Sequence, residues 1–155
     1  MTYTLFKFLH VLGVVLLIGN VTVTAVWKVF ADRTRSAPVV AFAQRLVTYT
    51  DWTFTTGGVA LLMAGGYGMA ATARIPVFST VWLGASQAMF VISGLIWLCI
   101  LVPTKIQQSR QTRTFTSESV SIPQAYWTLS RRWLIWGVLG TLPLLVALYL
   151  MVAKL

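Results

Sequence analysis

The chain has 155 residues, 57% of them hydrophobic and only 10% charged, with a mean hydropathy of +0.79. A soluble domain is roughly 45–50% apolar and about 25% charged, so a soluble globule is excluded. A disordered chain, which is polar and poor in aromatics, is excluded too. The 12 Lys+Arg against 3 Asp+Glu give a net charge of +9; in a membrane protein such an excess marks basic loops on one face, and no nucleic-acid partner is expected. With one Cys and one His in the chain, neither a disulfide framework nor a four-ligand Cys/His zinc site can be built.

A spanning helix needs roughly 20 predominantly apolar residues, and four stretches qualify. The first is Leu5–Val29. It is too long for a cleaved signal segment and lacks a basic leader, so it reads as a true span. Ser36-Ala37-Pro38 then has the form of an N-cap with proline in the first turn, so the second span, Trp52–Ala73, is expected to begin earlier as a helical extension. Within it, Gly57, Ala60, Ala64 and Gly68 make one track of small residues and Gly58 and Gly65 another; such tracks let helix backbones approach closely. The short Arg74-Ile75-Pro76 connection implies an antiparallel hairpin with the third span, Val77–Val102. Gln107–Ser121, rich in Ser, Thr, Gln and Arg, reads as a mobile connector. Ser121-Ile122-Pro123 repeats the cap-and-proline form before the fourth span, Trp133–Val152, which contains Gly137, Gly140 and Pro143.

The basic residues Lys28, Arg33, Arg35 and Arg45, with Lys105, Arg110, Arg113, Arg131 and Arg132, fall in two loops on one side; Lys7, Arg74 and Lys154 fall on the other. The positive-inside rule places both loops in the cytoplasm and both termini outside. The expected fold is a single all-α domain over residues 1–155, a four-helix transmembrane bundle with both termini on the non-cytoplasmic side.

Polar residues inside a bilayer are costly and need a partner or a purpose. They form two clusters. The outer one centres on His10, whose helix face continues through Gly13, Leu17, Asn20, Thr24 and Trp27. Gln87 on the third span lies at similar depth, so Asn20, Thr24 and Gln87 are expected as a polar interior cluster. His10 is open to two readings: a ligand to haem or a proton-handling group, or an interhelical hydrogen bond to Gln87 or a backbone carbonyl. The inner cluster centres on Asp51, with Arg131 and Arg132 entering the fourth span at similar depth and Lys28 leaving the first. There the readings are a structural ion pair or a station on a proton path. No catalytic residue and no metal site is assigned: paired carboxylates are lacking, and Gly65-Gly66-Tyr67-Gly68 has neither the preceding strand nor the Lys-Ser/Thr of a phosphate loop.

Leu5-Phe6-Lys7-Phe8-Leu9-His10-Val11-Leu12-Gly13, Gly19-Asn20, Trp27-Lys28, Asp51 with Phe54, Trp97 through Pro103, and Tyr126-Trp127-Thr128-Leu129-Ser130-Arg131-Arg132-Trp133 together resemble a bacterial family, the predicted integral membrane proteins of domain-of-unknown-function family 2269. The resemblance implies a multi-pass protein of the bacterial cytoplasmic (inner) membrane. More distantly, the first-helix His followed by Gly is similar to HemJ-type protoporphyrinogen oxidases and copper-resistance-D-like membrane proteins; the former similarity implies haem b, with His10 as the matching ligand. The functional expectation is therefore a small haem- or redox-handling membrane protein using His10. A non-catalytic accessory subunit, assembly factor or scaffold, within a homodimer or larger membrane complex, is the alternative, and a small transporter stands last.

Overall fold

The computed structural model describes residues 1–115 and 121–154. The helices are α1 (Thr2–Arg33), α2 (Ala37–Thr50), α3 (Thr56–Thr72), α4 (Val81–Ile96), α5 (Val102–Thr112) and α6 (Gln124–Ala153). A π-helical turn, Asp51–Thr55, joins α2 to α3, and a second, Trp97–Leu101, joins α4 to α5. The chain therefore forms four helical rods. Three of them, Thr2–Arg33, Val81–Thr112 and Gln124–Ala153, are long and apolar enough to cross a membrane. The fourth rod is divided at Asp51 by its π turn, and its apolar part, α3, is 17 residues long, just under the roughly 20 of a full span.

The buried positions of α1 are Gly13, Leu17, Asn20, Thr24, Lys28 and Ala31, each three or four residues from the next. That spacing keeps one seam facing a partner helix. The partner in the half holding His10 is α3, which runs antiparallel. A Cβ on Gly13 would lie 2.6 Å from the Gly58 carbonyl oxygen, and one on Gly65 would lie 2.6 Å from the Phe6 carbonyl oxygen. Only hydrogen fits there, so the two backbones touch. Of the two small-residue tracks, Gly58 and Gly65 form this contact, whereas Ala60 and Ala64 are exposed.

The other pair is α4 with α6, joined where the Ser93 hydroxyl donates to the Gly140 carbonyl at 2.6 Å. At the basic end, α2 packs on α1 and α5, and α5 packs on α6. Most of the fully buried side chains gather there, among them Val40, Gln44, Val47, Thr104, Lys105, Gln108 and Tyr126. The two pairs diverge toward the opposite end. Among the described residues, α3 and α4 share no close backbone contact despite being consecutive. Their link is the Tyr67 hydroxyl, which donates to Gln87 Oε1 at 3.0 Å. The hairpin expected from the short connection is thus antiparallel but splayed.

Element boundaries shift from the expected ones for local reasons. Ser36 is the N-cap of α2 with Pro38 in its first turn, as the motif implies. Pro123 instead occupies the N-cap position of α6, so the helix begins after it rather than at Ser121. The third rod begins at Val81 rather than Val77, after a connector over residues 73–80 entered through Arg74 at φ 53°. It then runs to Thr112, so residues 107–112, expected as a mobile connector, are helical. Pro103 does not end the rod: its ring would crowd the Cys99 carbonyl of a regular helix, and Cys99 lies in the wider π turn. Residues 116–120 of the expected connector lie outside the described residues.

Candidate functional site: two buried charge clusters and a cleft

Asp51 opens the first π turn and continues the buried face of α2 one turn beyond Val47 and two beyond Gln44. Its carboxylate is buried and pairs with Lys105 Nζ of α5 at 2.7 Å. The other oxygen, Oδ1, accepts from Asn20 Nδ2 at 3.1 Å and from the Thr55 hydroxyl at 3.4 Å. Asn20 also donates to Thr55 at 3.0 Å. Three elements, α1, the first π turn and α5, therefore meet at one carboxylate. Trp52 and Trp97, the latter opening the second π turn, meet edge to face with centroids 6.3 Å apart. Lys105 Nζ sits 5.6 Å from each ring, a cation–π contact on both sides.

A second cluster lies further toward the basic end. Lys28 Nζ donates to the Tyr126 hydroxyl at 2.7 Å and lies 3.4 Å from Asp32. Tyr126 passes its own proton to Asp32 Oδ1 at 2.9 Å, and the Ser130 hydroxyl donates to Asp32 Oδ2. The ammonium also faces the Tyr126 and Trp133 rings at 5.0 and 5.7 Å. This network ties α1 to α6 as the first ties α1 and the Asp51–Thr55 turn to α5. Single removal of a partner from a buried charged pair is costly, because the remaining charge is left in a low dielectric.

Beyond Asp51, toward the end where the helix pairs diverge, a cleft of about 400 Å³ opens between α1, α3, α4 and α6. Its walls are apolar, with Leu17, Val21, Phe90 and Leu144 among them, and Asp51 and Thr55 line its inner end. Its hydroxyls share one property. Thr22, Thr24 and Thr141 donate to the carbonyls of Ile18, Asn20 and Gly137. Ser93 donates to Gly140 and Thr55 to Asp51. A hydroxyl has one proton and two lone pairs, so none of the five has a proton left to donate, and each can only accept further, with one position of Thr55 already taken by Asn20. The indoles of Trp97 and Trp133 are the N–H carriers on its wall.

His10 lies in the α1–α3 seam. Its Nδ1 is 2.8 Å from the Leu62 carbonyl. A carbonyl only accepts, so Nδ1 carries the proton. The ring also rests against Gly66, where a Cβ would approach Nδ1 to 3.0 Å. Among the described residues no group of three His, Cys, Asp or Glu side chains could hold a metal ion.

Residues 4–155 match the family described as predicted integral membrane protein, DUF2269. The chain belongs to that family. Together with its three long apolar helices, this makes it an integral membrane protein with transmembrane helices. No curated protein and no solved structure matches it closely enough to add a second likeness.

The expected site residues separate into different places. Asn20 joins Asp51 rather than His10, Thr24 bonds its own helix, and Gln87 bonds Tyr67. His10 meets a backbone carbonyl rather than Gln87. The expected pairing of Asp51 with Arg131 or Arg132 is replaced by Lys105: both arginines are exposed on α6, and Lys28 is held by Tyr126 and Asp32. Lys105 escapes a sequence reading because it follows Pro103 in a stretch that looks like a loop. Asp32 escapes it because it lies among arginines. A signal for it does exist: Lys28 and Asp32 are four residues apart, on one helix face.

Proposed function

We propose that this membrane protein is a binding protein of the bacterial inner membrane, and that its cleft takes a lipophilic molecule carrying a hydrogen-bond donor, such as a hydroxyl or amine. The observation that carries the reading is the cleft's lining: apolar walls, and five hydroxyls whose protons all go to protein acceptors. The volume of about 400 Å³ lies within the roughly 300–1,000 Å³ of small-molecule pockets. In this reading the four rods form the transmembrane bundle. Exposed Arg33, Arg35, Arg45, Arg110, Arg113, Arg131 and Arg132 set the basic end in the cytoplasm, and the opposite ends of α1 and α6 face outward. The alternative of haem ligation at His10 draws no support from its surroundings, since Leu62 and Gly66 account for the ring as part of the α1–α3 seam.

Gly94 and Gly137 line the cleft, and a Cβ on either meets nothing within 4 Å. A Gly94→Leu/Gly137→Leu variant should therefore fill the cleft without disturbing a packed backbone. The test measures binding of a fluorescent long-chain alcohol, and of its methyl ether, to the full chain in nanodiscs. The alcohol is expected to bind, the ether to bind many-fold more weakly, and the double variant to bind neither. Equal binding of alcohol and ether, or binding unchanged in the variant, overturns the reading.

The exposed Ala60 and Ala64 favour a second reading, in which this small-residue face of α3 docks a transmembrane helix of a homodimer or a larger complex, the protein then acting as an accessory subunit.

A further inference from the structure

The α2–α5 seam at the basic end holds side chains that the ion-pair clusters do not use. Gln44 and Gln108 are fully buried. Among the described residues, neither the Nε2 nor the Oε1 atom of either amide meets a protein partner, and Gln111 Oε1 is buried without one as well. Native interiors leave few such atoms, and those left by protein groups are met by ordered water. Their positions form a line. Gln44 lies seven residues before Asp51 on one continuous helical rod, about 10 Å along the axis. Gln108 is one turn beyond Lys105, and Gln111 one turn further toward the basic end. Because α2 packs on α5, the three amides extend from the Asp51–Lys105 pair toward the arginine-rich surface. Each complete amide offers two N–H donors and a two-lone-pair acceptor, the mixed lining a water file requires and a dry core does not.

We propose that Gln44, Gln108 and Gln111 hold a file of internal water that connects the Asp51–Lys105 pair to the aqueous phase at the basic end. Through it the ammonium protons of Lys105 exchange with bulk solvent, although Lys105 itself is 1% exposed. The file meets the cleft only at Asp51, since no residue of α2 or α5 lines the cleft, and its amides are independent of the binding reading. The amides carry no titratable proton, so the route does not depend on their own protonation.

Water-edited solid-state NMR on the full chain in proteoliposomes, with labelled glutamine and lysine side chains, tests this. Water magnetisation is expected to reach the Gln44 and Gln108 amides and Lys105 Nζ several-fold faster than the backbone amides of Val91 and Leu95 on α4. In Gln44→Leu/Gln108→Leu, transfer to Lys105 should fall several-fold while the Lys105–Asp51 contact persists. Wild-type amides as slow as Val91 and Leu95 overturn the proposal without reference to any variant. Lys105 transfer that is unchanged in a folded double variant overturns it as well.

Discussion

The two ends of this bundle are held together by different physics. In the half containing His10, α1 and α3 associate through backbone contact at Gly13, Gly58 and Gly65, with no ion pair between them. At the basic end, α1, the Asp51–Thr55 turn, α5 and α6 converge on two buried lysine–aspartate clusters. The contrast follows from what lipid provides. Apolar side chains gain little by leaving hydrocarbon for one another, so helices there associate through close van der Waals approach. A charge in the same medium must find its counter-charge and hydrogen bonds inside the protein. The first device holds one pair of helices. The second gathers several elements at once, because a carboxylate has up to four acceptor positions to fill.

The comparison can be broken first at Asp51. Asp51→Ala leaves Lys105 buried and unpaired and is expected to lower unfolding stability by about 3–5 kcal/mol, measured by reversible unfolding in detergent or bicelles. Asp51→Leu/Lys105→Met removes both charges and should recover most of that loss. A double variant as unstable as the single one would mean that the pair does more than neutralise itself. At the second cluster, Tyr126→Phe deletes the hydroxyl linking Lys28 to Asp32. A loss of about 1.5–3 kcal/mol is expected for hydrogen bonds to charged groups, while a shift near zero would show that the Lys28–Asp32 pair is self-sufficient. The glycine seam sharpens the other side of the contrast. Gly13→Ala forces a Cβ into the α3 backbone and should cost about 1–3 kcal/mol by overpacking. Gly19→Ala, where nothing lies within 4 Å, should instead be neutral or slightly stabilising. Equal effects at the two glycines would remove the distinction between the ends.

The legible parts of the fold and site are those written in periodicity. The alternating three- and four-residue recurrence of Gly13, Leu17, Asn20 and Thr24 identifies the buried face of α1 without any partner in view, and the structure buries all four. Asp51 stands out as an acid beside a span, and it is buried as a polar centre. Arg33, Arg35, Arg45, Arg110 and Arg113, expected in the two basic loops, are exposed, but so are Arg131 and Arg132, expected beside Asp51. The same charge reading misplaces Lys28 and Lys105, because a lysine bound for the core and one bound for the surface have the same composition. Which small-residue track makes a seam was equally hidden: Gly58–Gly65 and Ala60–Ala64 are both competent, and only the docking of α1 distinguishes them.

By itself, then, the sequence determined the apolar rods, the basic end, the inward face of α1 and the residue on which the buried charge centres. Each depends on hydropathy or on spacing within one helix, and both are local. The tertiary structure alone decided that Asp51 pairs with Lys105, that Asp32 gathers Lys28, Tyr126 and Ser130, that two π turns bring Trp52 edge to face with Trp97, and that consecutive helices α3 and α4 diverge beside a cleft. These contacts join residues far apart in the chain. They are chosen by which pairing leaves the fewest charges and backbone groups unsatisfied across the whole bundle, a comparison no single helix contains.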